Sequence, residues 1–283
     1  MSAGERIDEP LTAELVAGAA DSPTLVLAHG VTQNRHCWGE FAEHLGRRFA
    51  VWAVDLPGHG DSGHDAASFE VAAHLLADTT GVISERSRRA PHPGEPHRRA
   101  GPILVGYSMG GRLALRAVLD RPGVVSALVL IGATAGLDDA ADRAARRAAD
   151  AEIAARLRTE GPARFLDRWL ALALFADLDP QQQLRDARLR HWGSGVAATF
   201  EHRGTGSMEP MWDRLGELTL PTLGLAGADD PKFVAIGERL AAGLGGPVSV
   251  RRVAGAGHAC QLAAPARTAE LVTDWWPAGR PAG

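Results

Sequence analysis

The stretch ILVGYSMGGR, from Ile103 to Arg112, decides the fold. Apolar residues open it, the pattern Gly-x-Ser-x-Gly spans Gly106 to Gly110, and the helical run RLALRAVL follows. Glycines on both sides of Ser108 allow the chain to turn so sharply that the serine side chain projects from the end of a strand. The stretch therefore predicts a buried strand, a nucleophile elbow and a helix, with Ser108 as the candidate nucleophile.

Short apolar runs bounded by Gly, Pro or Asp recur along the chain, as is typical of strands buried on both faces. They are residues 23–29, 49–55, 101–107, 125–131 and 222–227. Segments with helical spacing cover residues 37–48, 69–87, 109–121, 233–244 and 264–276. This alternation predicts an α/β fold, with a mostly parallel sheet flanked by helices.

The alternation stops between about Asp138 and Leu218, where Ala, Arg and Leu dominate and predict several consecutive helices. We expect residues 138–212 to form a helical cap inserted in a core made of residues 1–137 and 213–283. A second irregular segment, Ser84–Gly101, is rich in Arg, Pro and His. Because Pro interrupts this charged run, we expect it to be a solvated surface loop.

Composition limits the classes of function. The 283 residues carry 30 basic against 34 acidic side chains, which leaves no basic surface for a nucleic-acid partner. The amino terminus lacks the basic flank and apolar core of a signal peptide, and no apolar stretch is long enough to span a membrane. Cys37 and Cys260 form neither a disulfide framework nor a zinc site. We expect a cytoplasmic monomer or homodimer with free thiols and no membrane partner.

A serine hydroxyl needs a base and an orienting carboxylate before it can react. Where a serine occupies this type of elbow, the chain order is Ser, Asp, His. Asp229 and Asp230 both follow the run at 222–227, and composition alone does not choose between them. Among 11 histidines, His258 combines the expected order with a glycine-rich loop and a following helix. No metal ligand cluster accompanies these residues, so we expect no metal and no organic cofactor.

The first strong strand ends in a His-Gly pair, and a glycine there lets a backbone N–H turn toward the site. The amides of Val31 and Met109 are therefore the candidate oxyanion donors. We expect His29 to anchor the loop rather than to take part in chemistry. Asp55 and His59 follow the next strand, and we expect them to hold that loop by hydrogen bonds.

Taken in order, these elements resemble the alpha/beta-hydrolase family from Pro23 to Trp276. Within the family, several stretches resemble the SHCHC synthases (succinyl-hydroxycyclohexadiene-carboxylate synthases) of menaquinone biosynthesis, which eliminate pyruvate rather than hydrolyse an ester. The stretches are residues 106–112, 165–169, 174–178, 204–206, 211–215 and 230–233. The resemblance implies a Ser-Asp-His triad, and the pattern Gly-x-x-Asp-x-Lys-Phe at 227–233 selects Asp230 over Asp229. Lys232, the only lysine, lies in this pattern.

A polycarboxylate substrate needs guanidinium partners, which bind carboxylates through paired hydrogen bonds. The candidates are Arg112, one turn beyond Ser108, and Arg190, at the cap position that matches the synthases. Tyr107 and Trp169 are further candidate substrate contacts, each with core packing as the alternative.

Three functions stay open at the level of the sequence. The first, which the resemblance favours, is an SHCHC-synthase-like lyase that eliminates pyruvate from a small polycarboxylate in menaquinone biosynthesis. The second is a serine hydrolase that cleaves a small ester, a lactone or a carbon–carbon bond. The third is a binding protein without useful turnover. Ser108 excludes a dehalogenase or an epoxide hydrolase, because those enzymes carry an aspartate at the elbow.

Overall fold

Eight strands form one sheet in the computed structural model, which describes residues 5–89 and 101–278. In chain order they are β1 Arg6–Ile7, β2 Ala13–Ala17, β3 Thr24–Ala28, β4 Ala50–Val54, β5 Ile103–Tyr107, β6 Ala127–Ile131, β7 Thr222–Gly227 and β8 Val248–Val253. Their spatial order is β1-β2-β4-β3-β5-β6-β7-β8. The β1–β2 and β2–β4 pairs are antiparallel and the others are parallel, which confirms the predicted mostly parallel sheet.

Helices cover both faces of the sheet. Those of the core are α1 Gly39–Gly46, α2 Phe69–Arg89, α3 Met109–Asp120, α8 Pro231–Gly243, α9 Cys260–Ala263 and α10 Pro265–Ala278. The prediction of a surface loop over Ser84–Gly101 is wrong for its first residues, because α2 continues to Arg89. Residues 90–100 lie outside the described residues. No helix within 5–89 and 101–278 is long and apolar enough to cross a membrane.

Successive residues of each central strand pack alternately into two apolar layers, one on each face of the sheet. This packing explains why the sequence of these strands is almost continuously apolar. In β3, Leu25 and Leu27 belong to the layer with α1 and α10, whereas Val26 and Ala28 belong to the layer with α2 and α3. All four residues have no exposed surface. Full burial of one large aliphatic side chain contributes about 1.5–3 kcal/mol, so these layers stabilise the sheet from both sides.

The regular structure between β6 and β7 is entirely helical within the described residues. It comprises α4 Ala140–Glu160, α5 Pro162–Leu170, α6 Arg185–Arg190, α7 Val196–Arg203 and three 3-10 helices, Ala173–Phe175, Thr205–Ser207 and Trp212–Glu217. Asp139 begins α4 as its N-cap, since its carboxylate accepts hydrogen bonds from the N–H groups of Ala141 and Asp142. The predicted run of consecutive helices is present. The cap boundaries at residues 138 and 212 stay a prediction.

A buried ion-pair network fixes the loops that follow β3 and β4. Arg35, 3% exposed, donates hydrogen bonds to Asp55, to Glu14 at 3.0 Å and to Asp61 at 2.8 Å. Asp55 also accepts from the backbone N–H groups of Arg35 and Asp61, at 2.7 and 2.9 Å. His59 contributes a bond between its Nδ1 and the carbonyl of Pro57 at 3.1 Å. Asp55 thus ties two loops together at the edge of the sheet.

We expect Arg35→Ala to destabilise the fold by about 3–5 kcal/mol, because it leaves the Asp55 carboxylate buried without its partner. The free energy of unfolding in urea measures the effect. Arg6→Ala is the matched control, since Arg6 also bonds Asp61 but is 42% exposed, and exposed pairs contribute about 0–1 kcal/mol. Equal losses in the two variants would contradict the role assigned to Arg35.

Candidate active site

Ser108 lies at the sharp turn between β5 and α3. Its φ of 51° and ψ of −108° lie outside the backbone conformations that residues other than glycine usually adopt. A Cβ at Gly110 would overlap the carbonyl oxygen of Ala28, so only glycine lets α3 begin this close to β3. The N–H of Ser108 donates to Ile131 at 2.8 Å, and that of Gly110 donates to His29 at 3.0 Å. Both neighbouring strands therefore hold the turn.

His258 lies between Ser108 and Asp230. Its Nε2 is 3.1 Å from the Ser108 Oγ, and its Nδ1 is 3.1 Å from the Asp230 Oδ2. Asp230 follows β7 as the N-cap of α8, where its Oδ1 accepts from the N–H of Phe233 at 3.2 Å. Asp229 is exposed. The structure thus brings together Ser108, His258 and Asp230, and it pairs the histidine with the aspartate that the family pattern selects.

The negative charge of the Asp230 carboxylate suits this residue to orient an imidazole. Burial raises the pKa of its carboxyl, but hydrogen bonds from His258 and the Phe233 N–H, with the positive charge of Lys232, bring the pKa below its ordinary value. Asp230 is therefore ionised at neutral pH. The centroid of the Phe233 ring lies 4.4 Å from that of the His258 imidazole. The Nζ of Lys232, an exposed residue, lies 5.7 Å from the same Phe233 centroid.

A cavity opens beside Ser108 between the core and the cap. Its lining residues are Gly30, Val31, Gln33, Tyr107, Ser108, Trp169, Leu174, Phe175, Arg188 and His258. The predicted contacts Tyr107 and Trp169 are both among them. The ring of Tyr107 lies 5.4 Å from that of His258, while Trp169 stacks on Phe165 at 5.9 Å. Sequence reasoning missed Leu174 and Phe175, whose apolar character is common to many core residues.

The backbone N–H groups of Val31 and Met109 are the predicted oxyanion donors. Neither Val31 nor Met109 donates its N–H to a hydrogen bond within the described part of the chain. The loop that carries Val31 is fixed by Gln33, whose Oε1 accepts from the Gly30 N–H at 3.0 Å. His29 accepts from the Leu56 N–H through Nε2 at 3.1 Å, and burial lowers the pKa of this imidazole to about 4. His29 is thus a neutral side chain that anchors the loop.

The structure does not bring the two predicted substrate arginines, Arg112 and Arg190, to this cavity. Arg112 is buried, but its guanidinium donates to the carbonyl of Arg203 at 3.0 Å and lies 5.8 Å above the Phe69 ring. It serves the last turn of α7, where a free carbonyl needs a donor. Burial lowers the pKa of Arg112 to about 10. Arg190 is exposed at the end of α6.

Arg188 occupies the cavity instead, and sequence reasoning missed it. It is 1% exposed and donates to the carbonyl of Gln183 at 2.9 Å and to the hydroxyl of Thr32 at 2.8 Å. No carboxylate among the described residues forms an ion pair with it, and burial lowers its pKa. Residues two positions apart lie on opposite faces of a helix, so Arg188 and Arg190 cannot share a direction. The sequence signal that could have pointed to Arg188 was its position one helical turn after Leu184, an apolar residue that is partly buried.

Comparisons with known proteins show which family the chain is similar to. A sequence model of the alpha/beta hydrolase family matches residues 25–271. The 2-succinyl-6-hydroxy-2,4-cyclohexadiene-1-carboxylate synthase of Serratia proteamaculans (strain 568) is 34% identical over 267 residues, which cover 92% of this chain and 96% of that protein. The synthase of the same name from Yersinia pseudotuberculosis serotype O:1b (strain IP 31758) is 32% identical over 257 residues, or 88% of this chain and 86% of that protein.

The solved structure of MenH from S. aureus is similar along the whole fold. Its TM-score is 0.81 at 26% identity, and the match covers 99% of this chain and 100% of that one. The family match extends from β3 into α10 and includes the turn at Ser108 as well as Asp230 and His258. The chain therefore belongs to the alpha/beta hydrolase family.

Proposed function

We propose that this protein is an SHCHC-synthase-like lyase, which eliminates pyruvate from an anionic polycarboxylate in menaquinone biosynthesis. The observation that carries the proposal is Arg188, a buried guanidinium in the cavity beside Ser108 with no ionic partner among the described residues. An unpaired buried charge is costly, so the cavity is suited to a ligand that supplies a carboxylate. The synthases that resemble this chain over most of its length support the reaction type.

In the proposed mechanism Ser108, His258 and Asp230 form a catalytic triad. His258 takes the proton of the Ser108 hydroxyl, and Asp230 orients the imidazole and stabilises its charged form. The serine oxygen then removes a proton from a substrate carbon, the electron pair forms a new double bond, and the carbon–oxygen bond to the leaving enolpyruvate breaks. The leaving group departs as an enolate, which takes the proton of the charged His258 imidazole at its methylene carbon and becomes pyruvate, while the proton from the substrate stays on the Ser108 oxygen. No covalent bond to Ser108 is needed.

The cavity walls have separate tasks in this proposal. The N–H groups of Val31 and Met109 stabilise negative charge that develops on a substrate oxygen, because neither is engaged within the described chain. Arg188 holds a carboxylate, while Tyr107 and Trp169 contact the substrate from the core and the cap. Both free cysteines are buried, which fits a protein of the reducing cytoplasm.

The second candidate is a serine hydrolase acting on a small ester, a lactone or a carbon–carbon bond. The apolar wall made by Trp169, Leu174 and Phe175 favours it, because a neutral acyl group needs an apolar slot. Incubation with the synthase substrate, and separately with short acyl esters, distinguishes the two. We expect pyruvate release, measured with a coupled dehydrogenase. Ester turnover without pyruvate would support the hydrolase.

We predict that Ser108→Ala, His258→Ala and the double variant lose similar activity on the synthase substrate, since each residue of a coupled pair is ineffective without the other. Steady-state pyruvate release measures kcat in the three variants. Circular dichroism confirms that each is folded. Losses that multiply in the double variant would disprove the coupling.

We predict that Asp230→Asn lowers kcat by about 10⁴-fold, as expected when an imidazole loses the carboxylate that fixes its tautomer. Asp229→Asn is the matched control, because it makes the same change at the adjacent, exposed position. It should leave kcat nearly unchanged in the same assay. The reverse ranking would move the role of the acid to Asp229.

We predict that Arg188→Ala lowers kcat/KM for the anionic substrate by about 10- to 150-fold, because hydrogen bonds to charged groups contribute about 1.5–3 kcal/mol. Hydrolysis of a small neutral ester should change little. Arg190→Ala removes the same side chain from the exposed end of the same helix and should have a small effect on both substrates. A larger loss in Arg190→Ala than in Arg188→Ala would restore Arg190 as the carboxylate-binding residue.

A further inference from the structure

Asp177 connects the cap to the loop that carries His258. It follows the 3-10 helix Ala173–Phe175, and its Oδ2 accepts a hydrogen bond from the N–H of Gly257 at 2.6 Å. Gly257 is buried and directly precedes His258. A bond between an amide and an ionised carboxylate is shorter and stronger than one between neutral groups. The contact therefore joins two segments that lie 80 residues apart in sequence.

The absence of a side chain at position 257 is explained by the same contact. A Cβ there would lie 2.9 to 3.0 Å from three atoms of the Asp177 carboxyl group, so any larger residue would push the carboxylate away. Gly257 has no positive φ, unlike Gly255 in the same loop with a φ of 66°. Backbone conformation thus does not require a glycine at position 257, whereas the approach of Asp177 does.

The His258 loop is held from two sides. On the core side, the carbonyl of Ala256 accepts from the N–H of Asp229 at 3.0 Å. On the cap side, the Asp177 contact holds the peptide N–H next to His258. Burial is the main cause that raises the pKa of Tyr107, and the charge of Asp177 adds to it, which agrees with a carboxylate close to the site.

We propose that Asp177 is a positioning residue, which holds the loop of His258 and makes the alignment of this histidine with Ser108 depend on the cap. The inference rests on the proposed roles of Ser108 and His258. In the proposed mechanism Asp177 touches neither the substrate nor the reacting atoms. Without it the Gly257 N–H loses its acceptor, the loop relaxes, and a displacement of about 1 Å at a catalytic group can lower a rate about 10²-fold.

The test measures the rate at which a fluorophosphonate labels Ser108, since this reaction requires the serine and its base but not the physiological substrate. We expect Asp177→Ala to lower that rate about 10- to 100-fold. Asp177→Asn should retain most of it, because the amide oxygen still accepts a hydrogen bond from Gly257. With the synthase substrate, kcat should fall in Asp177→Ala while KM changes little, since the cavity contacts remain.

Asp179→Ala is the matched control. Asp179 lies in the same segment and also accepts backbone hydrogen bonds, but from Gln181 and Gln182 at 2.8 Å, within the cap itself. Its removal should leave labelling of Ser108 unchanged. Equal effects of the two alanine variants, or no rescue by Asp177→Asn, would show a general loss of cap structure and overturn the positioning role.

A double variant tests the contact itself. Gly257→Ala should slow labelling by displacing the carboxylate, and adding it to Asp177→Ala should slow labelling no further, because the same contact is already lost. Additive effects would overturn the inference. If the unmodified protein is not labelled at Ser108, the proposed nucleophile fails and the inference fails with it. If it is labelled and Asp177→Ala matches it, the positioning role alone is wrong.

Discussion

The site depends on how closely α3 approaches β3 at Gly110. The carbonyl oxygen of Ala28 occupies the place where a Cβ would be, and the Gly110 N–H donates to the next carbonyl, that of His29. This approach lets the chain leave β5 through a backbone conformation at Ser108 that normally costs about 1–3 kcal/mol. Because two neighbouring strands hold the turn, the serine oxygen has a fixed position to which every other functional group is aligned.

Strand order explains why the other groups meet at that position. The parallel strands β3, β5, β7 and β8 end at the same edge of the sheet, and Val31, Ser108, Asp230 and His258 follow them in turn. The chain leaves β6, which lies between β5 and β7, at this same edge and forms the helices from α4 onward before it returns to the sheet as β7. Those helices are therefore placed over the edge by the topology. They contribute Trp169 and Arg188 to the cavity and Asp177 to the His258 loop.

Local patterns were sufficient to predict the central strands, Ser108 in its elbow motif and His258 in its glycine-rich loop. They left Asp229 and Asp230 open, and only the family pattern at 227–233 selected Asp230. The edge strands β1 and β8 and the neighbouring strand β2 were not predicted. β1 has only two residues, and neither β2 nor β8 is buried along its whole length, so neither forms a continuous apolar run. The choice between Arg188 and Arg190 depends on which face of α6 packs inward. Arg112 likewise was placed by its distance along the chain from Ser108, whereas the helix face sends it toward α7.

Lys232 gives this chain an unusual chemical handle. It is the only lysine in 283 residues, it is exposed, and both cysteines are buried. An amine-reactive fluorophore thus has one side chain to modify, two residues from Asp230 and adjacent to Phe233, whose ring lies against His258. The dye would be attached next to Phe233 without any engineered attachment site. Once the more acidic α-amino group of the chain has been blocked, ligand entry can be followed by emission from this one side chain.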